Sequence, residues 1–178
     1  MGIPYRIRQF WRTISVKIDH EDLTKVRARL NHEQWELFTQ MQPSEQHHAV
    51  MILHRLLEQG ENQPDLLVAA LLHDVGKLHH RMSPLERVMV VLVKAVMPKQ
   101  AHSYGDLPPA GWKRLPAWRK AFIVAEQHAE WGAEMARKSG VSLLTENLIR
   151  KHHHPRSQNV DSVETSLLQK LWLVDNES

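Results

Sequence analysis

Pro64-Asp65-Leu66-Leu67-Val68-Ala69-Ala70-Leu71-Leu72-His73-Asp74-Val75-Gly76-Lys77 is the stretch that decides how this chain folds. Pro64 sits where a first-turn proline belongs, and the residues after it predict a helix over 65–75. Apolar residues occupy every side of that helix, so it belongs at the centre of a bundle rather than on its surface. Its inner, C-terminal end then carries a histidine beside an aspartate, where a buried helix normally carries nothing ionisable. Such a pair needs compensation. A divalent cation, which imidazole and carboxylate both coordinate readily, supplies it most simply. Gly76 is expected to permit a sharp exit from the helix.

Working outward, the rest of the chain reads as helices around this one. Its 178 residues include only 7 glycines. Long stretches of Leu, Ala, Glu, Gln, Lys and Arg show little β-branched alternation, which argues for an all-α fold. Asp19 or His20 opens a helix with Leu23, Val26 and Leu30 on one face, and 33–41 adds another turn or two. Pro43-Ser44 stops that segment, and Ser44 is a good N-cap for a helix over 45–58 closed by Gly60. Ser83-Pro84-Leu85-Glu86 reads as a capping box for a helix running to Met97. The stretch 98–116, with Gly105, Pro108, Pro109 and Gly111, reads as one long irregular connection, either a lid or a plain surface loop. Helices resume over 117–138, with Gly140 at the end, and over 143–153 behind a Ser142 cap. A last one begins near Asp161, with Leu167, Leu168, Leu171, Trp172 and Val174 as its buried face. The expected architecture is a compact helical bundle of one domain over 44–178, preceded by a basic arm and helices over 1–43 that pack on it.

Charge and composition restrict the chemistry. Residues 1–29 hold seven Lys or Arg against three Asp or Glu, leaving 16 basic and 17 acidic groups in the remainder. The favoured reading of the arm is an amphipathic element on the body with its basic face in water. Contact with a membrane surface or nucleic acid is the less favoured alternative. Arg6, Arg8, Arg12 and Lys17 interrupt Ile3 to Ile18, so nothing there resembles a signal peptide. The longest apolar run, 88–97, contains Lys94 and is too short to span a bilayer. A cytoplasmic protein is the expectation, and nothing fixes its oligomeric state. With no cysteine and 13 histidines, any metal must be held by His, Asp, Glu or water. His47 and His48 each lie just outside an edge of the apolar arc of their helix, and helical geometry leaves the choice between them open. Lys77 reads in isolation as a cation at a helix C-terminus, and His152 to His154 as a solvated helix end.

The heptapeptide 71–77, with the histidines around it, resembles the signature of the HD-domain superfamily of metal-dependent phosphohydrolases. The resemblance covers about Ser44 to Asp175. It implies that His48, eight residues before Leu56-Leu57, is the first metal ligand, leaving His47 and His54 as a boundary pair facing solvent. His73 and Asp74 would be the central ligands. In Glu126-Gln127-His128-Ala129-Glu130-Trp131-Gly132-Ala133, His128 matches a second-metal histidine or general acid. In Leu148-Ile149-Arg150-Lys151-His152-His153-His154-Pro155, the matching pair is His152 and His153. Asp175, late on a Leu-rich helix, matches the last ligand. Lys77, and with it Arg81, would neutralise a phosphate. The Gly-Tyr-Pro signature of the cyclic dinucleotide phosphodiesterase subgroup does not follow His154, so that activity is not expected.

The resemblance thus implies one or two divalent ions, with Fe, Mn, Mg, Ni, Co and Zn all compatible with the ligand set. It implies a small phosphorylated substrate, a monoester or diester, nucleotides included, hydrolysed by a metal-activated water in which Asp74, Lys77 and His128 take part. Two alternatives stand beside this one: a di-iron oxygenase on the same fold, and a regulatory module that binds a nucleotide without turnover.

Overall fold

Leu66, Ala69, Ala70, Leu71 and Leu72 have no exposed surface, so the apolar run does form the centre of the molecule. The computed structural model describes residues 18–108, 110–153 and 162–177. Among these no strand occurs. The helices are α1 (His20–Arg27), α2 (His32–Gln40), α3 (Pro43–Glu58), α4 (Pro64–Leu72), α5 (Pro84–Val96), α6 (Pro98–Gly105), α7 (Ala117–Lys138), α8 (Leu143–Lys151) and α9 (Val163–Glu177), with 3-10 turns at Val75–His79 and Trp112–Arg114. α4 packs against α3 and α8 most extensively and touches α2 and α9. Phe38, Ile52, Leu53, Leu56, Leu148, Ile149, Leu168 and Leu171 close the core around it. A smaller cluster, including Val90, Ala101, Phe122 and Val124, joins α5, α6 and α7. No described helix is long and apolar enough to cross a membrane.

Local signals account for most of the helix ends. Asp19 accepts from the Asp22 N–H at 2.8 Å, Ser83 and Glu86 form the capping box of α5, and Ser142 accepts from the Thr145 N–H at 3.0 Å. α3, however, starts at Pro43 rather than after it, with Gln42 as the N-cap. Proline suits the first helical position, where its missing N–H has no intrahelical role, so Ser44 lies inside the first turn. Residues 1–17 and the cap expected at Asp161 lie outside the described residues. Ser162 accepts from the Thr165 N–H at 3.1 Å at the start of α9.

Two larger departures bear on function. The helix expected over 65–75 ends at Leu72, and the chain tightens into the 3-10 turn Val75–His79. Gly76 makes no sharp exit there. A Cβ on it would lie 2.0 Å from the His128 carbonyl oxygen and 2.7 Å from the Gly132 nitrogen. The position needs glycine because α7 crosses the turn backbone to backbone, not because of an unusual φ. The second departure is 98–116, whose first half is α6. Pro98 takes the first helical position, and Ala101 and Gly105 are buried. Trp112, in the second half, stacks on Trp131 of α7 with ring centroids 5.0 Å apart. The sequence signal misled because a proline that ends one helix also starts the next.

Candidate metal centre

Five elements converge on one point. His48 comes from α3, His73 and Asp74 from the junction below α4, His128 from the middle of α7, His152 and His153 from the end of α8, and Asp175 from α9. Asp175 Oδ1 lies 2.9 Å from His48 Nε2 and 3.6 Å from His73 Nε2. Asp74 Oδ2 lies 3.6 Å from His73 Nε2 and 2.6 Å from Lys77 Nζ, while its Oδ1 lies 3.4 Å from His128 Nε2. His128 Nε2 and His153 Nε2 are 2.9 Å apart. His152 bridges the two sides, its ring centroid 5.1 Å from that of His73 and 5.3 Å from that of His128.

Helix geometry also sets the tautomers. His73 Nδ1 lies 2.9 Å from the Ala70 carbonyl, His128 Nδ1 lies 2.9 Å from that of Val124, and His152 Nδ1 lies 2.6 Å from that of Ile149. A carbonyl can only accept, so each Nδ1 carries the hydrogen, and in a neutral ring Nε2 is left with its lone pair facing inward. Burial holds His128 well below the usual imidazole range, with Lys77 adding to the effect, and pushes His152 down to about 3. Burial also lowers His153, to about 4, although this ring stands exposed at the rim. For Asp74, burial acts upward, but Lys77, His73, His128 and His48 together outweigh it and hold the carboxyl well below its usual range. Asp175 is likewise lowered against its burial, by the hydrogen bond from His48 and by the charges of His73 and His48.

The arrangement fits a cation. His73 Nε2 and His152 Nε2 are buried and have no hydrogen-bond partner, a costly state for lone pairs that a metal ion would relieve. Two groups of three donors lie within 4.8 Å: His48, His73 and Asp74, and His128, His152 and His153. Asp74 belongs to the first group through Oδ2, which faces His73, and turns Oδ1 towards His128 of the second. The donors are nitrogen and oxygen only, a set suited to divalent first-row metals or magnesium.

Several expectations need correction. Arg81 does not reach the centre: it is exposed and donates to the Gln40 carbonyl at 3.0 Å. The arginine beside the centre is Arg87, on the adjoining pocket wall with Lys77, His128 and His153. Its signal was its helical spacing, because Arg87, Val90, Val91 and Lys94 fall on one face of α5. His47 and His54 are not a solvent-facing pair. His54 Nε2 lies 2.7 Å from Asp22 Oδ1 of α1, and His47 Nδ1 is buried without a partner. α1 covers that boundary, which no local pattern in α3 announces. Lys77 is tied to Asp74 and is not a plain helix-end cation. His154 lies outside the described residues.

Among known families, the model described as HD domain matches residues 45–175. No curated protein and no solved structure matches the chain.

Proposed function

The chain belongs to the HD-domain family, and from that premise we propose that it is a metal-dependent phosphohydrolase with a dinuclear centre, acting on a small phosphate ester. The observation that carries this reading is the position of Asp74 between the pair His48 and His73 and the three histidines His128, His152 and His153, with Lys77 at 2.6 Å on the side of an open pocket. His48, His73, Asp74 and Asp175 would hold one cation, and His128, His152 and His153 the other, with Asp74 shared. Divalent cations held there supply a nucleophilic water near neutral pH and polarise a phosphoryl oxygen.

The chain's own residues do the rest. Asp74, kept ionised by its neighbours, draws the two sides together and fixes the Lys77 ammonium where an incoming phosphate would meet it. The carbonyls of Ala70, Val124 and Ile149 orient their imidazoles before anything binds, so little reorganisation remains. Between ligand and general acid, we assign His128 as ligand. Its Nδ1 hydrogen is committed to Val124, and its depressed pKa leaves Nε2 without a proton to give. Hydrolysis adds water across the P–O bond: the water oxygen joins phosphorus, and the ester oxygen leaves protonated as the alcohol.

Asp74→Ala should remove both metal and phosphate release, measured by elemental analysis and by turnover of simple phosphate esters. Full activity in that variant would end the assignment.

A further inference from the structure

Beside the centre a pocket of about 510 Å³ opens between α5 and α7. Lys77, His128 and His153 line it where it meets the centre, and Met82, Val90, Val91 and Ala125 form the apolar wall. The remaining polar groups of that wall are already engaged. Arg87 donates to the buried Glu45 at 2.7 Å and to Gln42 at 2.6 Å. Lys94 pairs with Glu126 at 2.7 Å and bonds the Ala125 carbonyl at 3.4 Å. Among the described lining residues there is no Phe, Tyr or Trp on which a base could stack, the two imidazoles stand at the centre and not on the apolar wall, and no amide or hydroxyl side chain is there to read a base edge or a sugar.

A wall of this kind gains free energy mainly by removing hydrocarbon from water. A sugar or base laid against it would leave its own polar groups unpaired, at a cost that discriminates strongly. We propose that the substrate is a phosphate ester of an apolar alcohol, its phosphate at Lys77 and its hydrocarbon against Val90, Val91 and Ala125. This rests on the phosphohydrolase reading and narrows it away from nucleotides. Water adds across the P–O bond to give inorganic phosphate and the free alcohol, so no further reactant is needed.

The test compares n-alkyl phosphates from methyl to hexyl with nucleoside 5′-monophosphates on the metal-loaded full-length chain. All are esters of primary alcohols, so differences in leaving-group chemistry are small. Binding of the matching n-alkyl phosphonates is measured by calorimetry in parallel. The expected result is a rise of up to about fourfold in kcat/KM and in affinity per added methylene, with hexyl phosphate preferred over every nucleotide at least tenfold. Val91→Asp, at a half-open position where a carboxylate stays hydrated, should flatten that slope. Leu85→Asp, 78% exposed and outside the pocket, should leave it unchanged. A flat chain-length series, or nucleotides preferred over hexyl phosphate, would overturn this inference and leave the hydrolase reading intact. Phosphonate affinity that climbs with chain length, with no ester hydrolysed under any metal, would uphold the pocket assignment and overturn the hydrolase reading.

Discussion

Replacing Lys77 separates two tasks that Asp74 combines. Asp74 both faces the imidazoles of the two groups and holds the Lys77 ammonium at 2.6 Å. Lys77→Met should therefore keep the metal content of the wild type and lower kcat/KM by about 10²–10³, the usual cost of one charged donor at a reacting phosphate. Elemental analysis beside phosphate-release kinetics checks this, and loss of metal in the variant would show that Lys77 is structural. At this scale the sequence exposes what breaks a pattern. His73-Asp74 stood out because ionisable residues ended an apolar run. His48 and His47 looked alike on their helix; the resemblance pointed to His48, and packing groups it with His73 and Asp74 and brings Asp175 to within 2.9 Å of it. The Asp22 partner of His54 depends on which helix packs opposite and leaves no local trace, whereas Arg87 shares a face of α5 with Val90, Val91 and Lys94 but finds Gln42 and Glu45 only through packing.

Among the elements, the contact between the Val75–His79 turn and α7 does most to shape the centre, because it sets His128 against Asp74. Gly76 and Gly132 let the two backbones meet there. Gly76→Ala should force them apart, lowering stability by about 1–3 kcal/mol, as overpacking usually does, and weakening metal retention with it. Denaturant unfolding and metal content of the variant measure the two effects. Wild-type stability with wild-type metal content would contradict so close a crossing. Truncating a side chain of the central helix gives an independent control on packing: Leu71→Ala, at a fully buried position, should cost about 2–5 kcal/mol. Helix identity was largely legible, since caps at Asp19, Ser83 and Ser142 are written locally. The end of α4 and the presence of α6 were not, because a 3-10 turn and a proline-started helix give the same residue signals as an exit and a loop.

For the whole molecule, the buried neutral imidazoles tie stability to pH. His152 has a folded pKa of about 3 against 6.5 for a free imidazole, and His128 is lowered as well. Between those values the unfolded chain binds protons that the folded chain refuses, so unfolding gains free energy as pH falls. The stability of the metal-free protein should be full above pH 7 and drop through acid pH. His152 alone should account for about 2 kcal/mol between pH 7 and 5. Asp74 contributes in the opposite charge sense: its lowered pKa stabilises the fold above about pH 4, and that share is lost only below it. Urea midpoints from pH 8 to 5 on chelator-treated protein test this, and midpoints independent of pH would contradict it. The all-α fold was legible from composition and from one apolar helix, and the family match over 45–175 agrees with it. The pocket wall was not, because Val90, Val91 and Ala125 become neighbours only when α5 and α7 pack together. The most direct test of the central claim, that Asp74 joins two cation sites, is metal stoichiometry by elemental analysis after loading and desalting. About two ions per chain are expected for the wild type, about one for the double variant His152→Ala/His153→Ala, and none retained by Asp74→Ala. Two ions retained by Asp74→Ala would contradict it.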